Sequence, residues 1–365
     1  MRIGNRDFQT SGHTYVMGIL NVTPDSFSDG GRWNHMDDAL FHAQRMIEEG
    51  ADILDIGGES TRPGGYTRIS DEEEISRVAP VIEALKKRFD TPLSVDTYKS
   101  GVASAAIAAG ADLINDIWGL KADKKMAEVI AKAKLPSCLM HNRETMDYNN
   151  FLEDVVSDLQ ETLNIAKKAG ISKDTIILDP GVGFAKNYEQ NLAITNHLEV
   201  LDTLGCPVLL GTSRKSMIGL TLDLPSDQRE EGTMVTTVWA VQKGCMFVRV
   251  HNVQANVRAI KMAEALLRNC ILYTSIKDYE IMINGLEKYM SSLQEHCQTL
   301  KEAVELYDKG VNDRTSRVYK AKIDKLCDHN IAPQIERVQR LKKNLEEQLE
   351  VLMGMDRMLV EENEE

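Results

Sequence analysis

Short apolar runs alternate with longer amphipathic segments from Tyr15 to about Arg268. Eight of the short runs are continuously apolar and rich in β-branched or aliphatic residues, as in strands that are buried on both faces. They occupy residues 15–21, 51–57, 92–96, 112–116, 137–141, 175–179, 207–211 and 246–251. Each run is followed by a segment with helical periodicity, at residues 36–49, 71–89, 99–109, 122–134, 149–169, 188–204, 230–243 and 253–268.

Eight strand–helix units in succession predict an α/β fold, the closed parallel (β/α)8 or TIM barrel. A doubly wound open sheet is the alternative. Both the number of units and the missing G-x-G-x-x-G after the first strand disfavour it. Residues 1–14 precede the first strand, and we expect them to form a small hairpin under the barrel.

The pattern changes from about Ile271, where apolar residues recur at steps of three and four, the spacing of a coiled-coil seam. Ser275 and Asp278 have the spacing of a capping motif, so we expect a new helix to start there after the last barrel helix. Residues 310–313 break this stripe, and Pro333 is expected to start or kink a later helix. We therefore predict a barrel domain over 1–270 and a helical accessory domain of unknown role over 271–365, built as an antiparallel hairpin or a three-helix unit. The stripe comprises Ile276, Tyr279, Ile283, Leu286, Met290, Leu293, Cys297, Leu300, Val304 and Tyr307.

The composition restricts the classes of partner. A net charge of −13 on 365 residues disfavours general binding to nucleic acid or to anionic membranes, but it allows a small anionic substrate. No run approaches 18 apolar residues and no signal segment precedes Tyr15, so we expect a soluble, cytoplasmic protein. The six cysteines have no C-x-x-C spacing, which favours reduced thiols over disulfides or a zinc site.

The carboxyl ends of the predicted strands carry polar side chains at seven of the eight positions. Each one alone has a structural explanation, since Asp and Asn often cap the following helix and His141 suits a structural histidine. In a barrel, however, these ends meet at one mouth. Burying several charges there would be costly unless they pair with each other or with a polar ligand. The residues are Asn21, Asp55, Asp96, Asn115, Asp116, His141, Asp179, Arg249 and His251.

The residue types indicate the chemistry of that ligand. Asp96, Asn115 and Asp179 opposite Lys215 suit a flat heterocycle, because carboxylates accept from amino and ring N–H groups while a lysine donates to a carbonyl or ring nitrogen. The stretch DPGVGFAKN, which begins at Asp179, is by itself neither a dinucleotide fingerprint nor a P-loop.

An anion site is predicted beside the heterocycle site. Arg249 and His251 precede a helix start, where barrels commonly bind phosphate. Asn21 and Asp29 offer oxygen ligands for Mg²⁺, which usually binds through substrate phosphates with few protein ligands. The long Gly-rich loops 23–31 and 57–65 are expected to act as lids.

Seven segments, in the correct order over about residues 13–268, resemble the motifs of the dihydropteroate synthases, folate-pathway enzymes that sulfonamides inhibit. The resemblance implies condensation of 6-hydroxymethyl-7,8-dihydropterin pyrophosphate with p-aminobenzoate to give 7,8-dihydropteroate and pyrophosphate. It also implies Mg²⁺ as cofactor, a homodimer, and sensitivity to sulfonamides. The segments are MGILNVTPDSFSDGG, DIGGESTRPGG, SVDTYKS, INDI, DPGVGFAK, GTSRKSMIG and VRVHN.

Roles for individual residues follow from the resemblance. The pterin would be bound by Asp96, Asn115, Asp179 and Lys215, and the catalytic residues would be Lys215, Arg249, Asp96 and Asp179. Pyrophosphate would be bound by Asn21, Thr61, Arg249 and His251, and the metal by Asn21 and Asp29. The p-aminobenzoate pocket would be formed by Phe27, Thr61, Arg62, Pro63, Phe184 and Ser216.

Two alternatives remain open at the level of the sequence. Methyltetrahydrofolate:corrinoid methyltransferases share the pterin-binding barrel, but they have no need for the Ser-Arg-Lys-Ser segment at 213–216 or for an Arg-x-His anion site. A non-catalytic barrel with a scaffold role through residues 271–365 is the other alternative, since dihydropteroate synthases do not normally have such an extension. An oligomerisation or packing role for the extension is favoured over a dedicated site for a foreign partner.

Overall fold

The computed structural model describes residues 1–23, 32–60, 68–310 and 314–361. Contacts between residues divide the chain into two units, Met1–Glu264 and Ala265–Glu365, which are described separately below. Among the described residues, no helix combines the length and the apolar composition that a bilayer-spanning segment needs.

The first unit begins with a short antiparallel hairpin and continues as a parallel barrel. Strands β1 (Arg2–Ile3) and β2 (Arg6–Asp7) form the hairpin, which confirms the prediction for residues 1–14. Eight parallel strands follow within the described residues, and their bounds agree closely with the predicted runs. They are β3 (Tyr15–Asn21), β4 (Ile53–Gly57), β5 (Leu93–Asp96), β6 (Leu113–Asp116), β7 (Ser137–Met140), β8 (Ile176–Asp179), β9 (Leu209–Leu210) and β10 (Phe247–Val250).

The sheet closes on itself. The order of hydrogen-bonded strands is β8-β7-β6-β5-β4-β3-β10-β9. The two end strands meet through a parallel bridge between Leu178 and Val208, and Leu178 N donates to Pro207 O at 2.9 Å. The predicted (β/α)8 barrel is therefore confirmed, and the open-sheet alternative is wrong.

Helices follow the strands on the outside of the barrel, as the periodicity predicts. One further helix, α7, was not predicted, because its seven residues directly follow the short loop after β9. The helices that begin in this unit are α1 (Arg32–Glu48), α2 (Asp71–Arg88), α3 (Ser100–Ala109), α4 (Met126–Ala133), α5 (Phe151–Ala169), α6 (Tyr188–Asn196), α7 (Ser216–Leu222), α8 (Glu230–Gln242) and α9 (Val253–Gly310).

The single helix predicted over residues 188–204 is wrong. The structure ends α6 at Asn196 and continues as a 3₁₀ helix over Leu198–Leu204. Leu198, Leu201 and Leu204 are all buried. Residues three apart stack on one face of a 3₁₀ helix, so the tighter winding places all three leucines against the barrel.

A hydrophobic cluster fills the amino-terminal end of the barrel and includes the hairpin. Phe8 is 4% exposed, and its ring centroid lies 5.5 Å from that of Phe247 and 4.9 Å from that of Tyr15. The hairpin thus closes the end of the barrel opposite to the polar strand ends. The buried members of the cluster are Ile3, Phe8, Met17, Ile53, Leu113, Cys138, Ile177, Leu209, Met246 and Phe247.

The second unit is helical. It contains the later part of α9, then α10 (Arg314–Leu326), a π-helical turn (Cys327–Ile331) and α11 (Ala332–Glu361). Lys342 of α11 forms an ion pair of 2.6 Å with Glu287 of α9, so these arms lie side by side, as in the predicted hairpin. Pro333 lies in the first turn of α11. Supercoiling of the arms stays a prediction.

The predicted break between the eighth barrel helix and the extension is wrong, because α9 runs from Val253 to Gly310 without interruption. The seam residues are less exposed than most of their neighbours, which agrees with a packed stripe. Those with described side chains are Tyr279, Ile283, Leu286, Met290, Leu293, Cys297 and Leu300. The described cysteines are all free thiols: Cys138, Cys206, Cys245 and Cys327, which are buried, and Cys297, which is half-buried.

Truncating the hairpin's aromatic anchor is expected to destabilise the barrel. Phe8→Ala removes a buried ring from the amino-terminal cluster and should lower the free energy of unfolding by about 3–5 kcal/mol. Phe41→Ala is the matched control, because this ring on α1 is 72% exposed and its loss should change stability by less than about 0.5 kcal/mol. Urea denaturation followed by circular dichroism measures both. Equal stabilities of the two variants would contradict the role of the hairpin.

Candidate active site

The barrel mouth is formed by the carboxyl ends of strands β3 to β10. The polar residues at the ends of neighbouring strands lie there in one layer. Asn21 of β3 is in register with Gly57 of β4, and Gly57 is in register with Asp96 of β5. Asp96 is in turn in register with Asn115 of β6. A Cβ on Gly57 would lie 3.4 Å from Asn21 Oδ1 and 3.8 Å from Asp96 Cβ, so only a glycine separates these two side chains.

Arg249 of β10 bridges two buried carboxylates across the mouth. Its Nε donates to Asp55 Oδ2 at 2.6 Å, and its Nη2 donates to Asp96 Oδ2 at 2.7 Å. Asn115 Nδ2 donates to the same Asp55 oxygen at 3.1 Å. Burial alone would lower the pKa of Arg249, but the two carboxylates raise it above its ordinary value. The guanidinium therefore stays charged and compensates the two acidic groups.

One oxygen of each carboxylate is left for a ligand. Asp55 Oδ1 and Asp96 Oδ1 are buried and have no hydrogen-bond partner within the part of the chain that the structure describes. Burial raises the pKa of Asp96 to about 7, although the nearby Arg249 opposes this shift. Buried polar atoms in proteins are nearly always hydrogen-bonded. These two oxygens are therefore the places where a ligand's N–H groups would bind.

Asp179 of β8 adds a third buried carboxylate. Its Oδ1 accepts from Gly181 N at 2.7 Å, and burial raises its pKa. A Cβ on Gly211 would lie 3.6 Å from Asp179 Oδ2 and 3.8 Å from Arg249 Cβ. Asp179 and Arg249 thus lie on either side of a glycine, as Asn21 and Asp96 do around Gly57.

Lys215, the residue that precedes α7, adds a second cation. Its Nζ donates to Val182 O and lies 4.7 Å from the centroid of the Phe184 ring. Burial lowers the pKa of Lys215 to about 8, and Asp179 opposes this shift. A lysine with a lowered pKa between a carboxylate and an aromatic ring can donate to a ligand and also change protonation near neutral pH.

The residues of the predicted anion site after β10 include His251, which is hydrogen-bonded to the loop after β9. Its backbone N donates to Ser213 Oγ at 3.2 Å, and its ring Nδ1 shares a hydrogen bond of 2.9 Å with the same oxygen. Asn252 Oδ1 accepts from Ala255 N at 3.2 Å and caps the start of α9. Arg249 is two residues before His251, so a guanidinium, an imidazole and a helix amino terminus follow one another here. Such a helix start favours a bound anion.

An apolar surface completes the mouth. The buried side chains of Tyr98, Ile117 and Met140 pack together, and Trp118 and Phe184 pack against them. Met140 ends β7, and the other four follow β5, β6 and β8, so they lie next to the acidic groups that end those three strands. A site with acidic edges and an apolar surface suits a flat heterocycle.

Six predicted residues of the p-aminobenzoate and metal sites have no described contact with the buried charges at the mouth. Ser216 is the exposed first residue of α7. The predicted site residues on the two lid loops lie outside the described residues, so their roles stay predictions. They are Phe27, Asp29, Thr61, Arg62 and Pro63.

Sequence reasoning noted Asp55 at a strand end but did not include it in the site. It is fully buried, and it is in register with Ser94 two residues before Asp96. Strand alternation could have identified it, because residues 55 and 57 must face the same side of β4. His141 agrees with the structural role expected for it, since both ring nitrogens are hydrogen-bonded inside the protein.

Known proteins are similar to this chain over the whole length of the barrel. The sequence profile of the pterin binding enzymes matches residues 17–251. A dihydropteroate synthase of Clostridium beijerinckii is 59% identical over 269 residues, which are 73% of this chain and all of that protein. The chain belongs to the pterin-binding enzymes, among the dihydropteroate synthases.

Two solved structures of this family have the same fold. The dihydropteroate synthase of Clostridium difficile, determined in the presence of pteroic acid, is 46% identical with a TM-score of 0.68 over 73% of this chain and 98% of that one. The dihydropteroate synthase of Yersinia pestis in a sulfonamide drug complex is 43% identical with a TM-score of 0.69, over 73% of this chain and 99% of that one. The corrinoid methyltransferase alternative is therefore set aside, and this dihydropteroate synthase is a transferase.

Two of the groups with shifted pKa values at the mouth, Asp96 and Lys215, predict a bell-shaped pH profile for this dihydropteroate synthase. Asp96 accepts hydrogen bonds best when ionised, so kcat/KM should rise as pH increases through about 7. Lys215 is cationic only when protonated, so kcat/KM should fall as pH increases through about 8. Initial rates from pH 5.5 to 9.5 measure both limbs.

The variant Lys215→Arg tests whether Lys215 causes the predicted fall of kcat/KM at basic pH. Arginine stays charged throughout this pH range, so the residual activity of the variant should lose the decline near pH 8. An unchanged basic limb in Lys215→Arg would contradict the assignment to Lys215.

Proposed function

We propose that the barrel mouth binds the dihydropterin pyrophosphate through its buried carboxylates and two cations, and joins the pterin to p-aminobenzoate with loss of pyrophosphate. The observation that carries this proposal is the set of charges at the mouth. Asp55 and Asp179 are buried and the Asp96 side chain is 9% exposed, all beside Arg249 and Lys215. Two carboxylate oxygens have no partner among the described atoms. A ligand with several N–H donors and one anionic group would satisfy this arrangement.

The pterin is recognised by its hydrogen-bonding edges. Asp96 and Asp179 accept from its amino and ring N–H groups, and Lys215 donates to its carbonyl or ring nitrogen. Asn115 donates through Nδ2 to Asp55, so its Oδ1 is turned away from that carboxylate and is placed to accept from the ring. The apolar surface around Met140 packs against a face of the ring.

Pyrophosphate is bound at the end of β10 and the start of α9. Arg249 has five N–H donors, and its bonds to Asp55 and Asp96 use two of them. His251 and the first backbone N–H groups of α9 follow Arg249 in the chain, and Asn21 ends the neighbouring strand β3. Thr61 is assigned to this subsite from the family motif.

Mg²⁺ fits the oxygen atoms at this subsite. Asn21 Oδ1 lies beside Gly57 in the same layer as Asp96, and the second proposed ligand, Asp29, is outside the described residues. Among the residues that the structure describes, no three His, Cys, Asp or Glu side chains are grouped to hold a metal. Mg²⁺ usually binds through substrate phosphates and needs few protein ligands. When bound, Mg²⁺ would neutralise charge on the pyrophosphate.

The reaction is dissociative in character. The C–O bond to pyrophosphate breaks with its electron pair on oxygen, and a cation forms on the pterin methylene carbon. The arylamine nitrogen attacks this carbon and then loses a proton. Arg249 and His251 stabilise the leaving anion, while the carboxylates of Asp55, Asp96 and Asp179 favour the positive charge on the pterin. The arylamine is already a nucleophile, so no strong general base is needed.

p-Aminobenzoate is proposed to bind beside Phe184 and Ser216, with the predicted lid residues Phe27, Thr61, Arg62 and Pro63 closing the pocket. Sulfonamides should compete for the same subsite, as the drug complex of the Yersinia pestis relative suggests. A homodimer formed through the outer helices stays a prediction from the family resemblance.

Replacing Lys215, the second cation at the mouth, tests its proposed role in binding the pterin. Lys215→Ala should lower kcat/KM by about 100- to 1000-fold, because a half-buried donor and its charge next to the pterin are lost. Lys167→Ala, at an exposed position of α5, is the control and should retain wild-type turnover. Steady-state assays and circular dichroism on both variants give activity and folding. A folded Lys215→Ala enzyme with near-normal turnover would refute the assignment.

The helical extension is proposed to be dispensable for turnover. All of the Clostridium beijerinckii relative is matched by 269 residues of this chain, so a barrel without an extension is sufficient in that protein. A chain that ends near residue 270 should keep kcat/KM within about threefold, since domains with their own core usually fold and act alone. A folded barrel with a loss of more than about tenfold would show instead that the extension contributes to catalysis.

A further inference from the structure

A buried lysine that the proposed chemistry does not use holds the loop after β8. Lys186 is 7% exposed, and its Nζ donates to Gly181 O at 3.0 Å and to Phe184 O at 3.1 Å. Its third contact is with His141 Nδ1 at 2.8 Å. Burial lowers the pKa of Lys186 to about 7, and in its ammonium form the side chain has three N–H donors and no acceptor. All three donors are therefore engaged, two of them with the backbone of the loop over residues 180–186.

Lys186 is itself held through His141. His141 Nε2 is 2.9 Å from Asp158 Oδ2 on α5, and the same oxygen accepts from Arg143 Nε at 2.5 Å. Because the ammonium donates to Nδ1, the ring proton lies on Nε2 and is donated to Asp158. Burial lowers the pKa of His141 to about 4, so the ring is neutral at pH 7 and Nδ1 remains an acceptor. A continuous series of hydrogen bonds thus connects α5 to the loop.

The backbone of the loop cannot supply this support by regular structure. Gly181, Gly183 and Ala185 have φ values of +71°, +84° and +44°. A Cβ on Gly181 would lie 1.9 Å from His141 O, so only glycine fits there. Left-handed residues at alternate positions prevent a helix or a strand. Within the loop Gly181 O accepts from Phe184 N at 3.1 Å, and the carbonyl groups need further partners. Lys186 provides partners for two of them.

The loop connects two parts of the proposed site. At one end, Asp179 accepts from Gly181 N at 2.7 Å. At the other end, the ring of Phe184 lies 4.7 Å from Lys215 Nζ, and Val182 O accepts from the same nitrogen. The side chain of Asp179 is fixed by β8, whereas the position of Phe184 depends on how the loop is held.

We propose that Lys186, supported by His141 and Asp158, is a positioning residue that fixes Phe184 against Lys215 and thereby shapes the p-aminobenzoate side of the active site. This inference rests on the proposed function, in which Asp179 and Lys215 bind the pterin and Phe184 faces the second substrate. Lys186 contacts neither substrate. Its loss should therefore affect the use of p-aminobenzoate more than the binding of the pterin.

The test is a comparison of kinetic constants for the two substrates in the full-length enzyme. Lys186→Met keeps the length of the side chain and removes its donors. It should lower kcat/KM for p-aminobenzoate by about tenfold or more, and leave KM for the dihydropterin pyrophosphate within about threefold. Lys186→Gln retains two N–H donors and should recover part of the loss. Lys167→Met, at an exposed lysine of α5, is the matched control and should behave as wild type.

Each other outcome overturns the inference. Wild-type constants for both substrates in folded Lys186→Met would show that the loop needs no such support. An equal loss for both substrates would show a general structural role. If Lys186→Met does not fold, Lys186→Gln decides, and wild-type use of p-aminobenzoate by that variant would overturn the proposal. Failure of the proposed function would appear separately, as normal turnover in Lys215→Ala.

Discussion

The double ion pair from Arg249 to Asp55 and Asp96 is the interaction on which the site depends. Three buried carboxylates at one mouth would each cost several kcal/mol without nearby cations. Arg249 offsets two of them and leaves one oxygen of each for a ligand, while Lys215 lies near the third. The closed barrel makes this possible, because it brings the ends of β4, β5, β8 and β10 to one place although they are far apart in sequence.

Much of this arrangement could be predicted from the sequence. Continuous apolar runs gave the strands, and polar residues directly after them gave Asp96, Asn115 and Asp179, since the barrel geometry places strand ends together. The support of Lys186 by His141 could not be predicted, because the two residues are 45 positions apart and meet only because β7 and β8 are neighbouring strands of the barrel. The 3₁₀ turn over Leu198–Leu204 was missed because its leucine spacing also fits an α-helix.

In the helical extension, a capping motif in the sequence does not start a new helix. Ser275 and Asp278 have the spacing of a helix start, which predicted a new helix after the barrel. The structure continues α9 through these positions to Gly310. Extending an existing helix adds one hydrogen bond per residue and needs no new nucleus, so a capping sequence within it does not interrupt it. The Clostridium beijerinckii and Clostridium difficile relatives each cover 73% of this chain, a share close to the length of the barrel.

The most direct test of the account is pyrophosphate release by the purified full-length enzyme supplied with 6-hydroxymethyl-7,8-dihydropterin pyrophosphate and Mg²⁺. Release should require p-aminobenzoate, yield an equal amount of 7,8-dihydropteroate, and be suppressed by a sulfonamide. Folded enzyme that binds the pterin but releases no pyrophosphate when p-aminobenzoate is added would contradict the proposed roles of the charges at the barrel mouth.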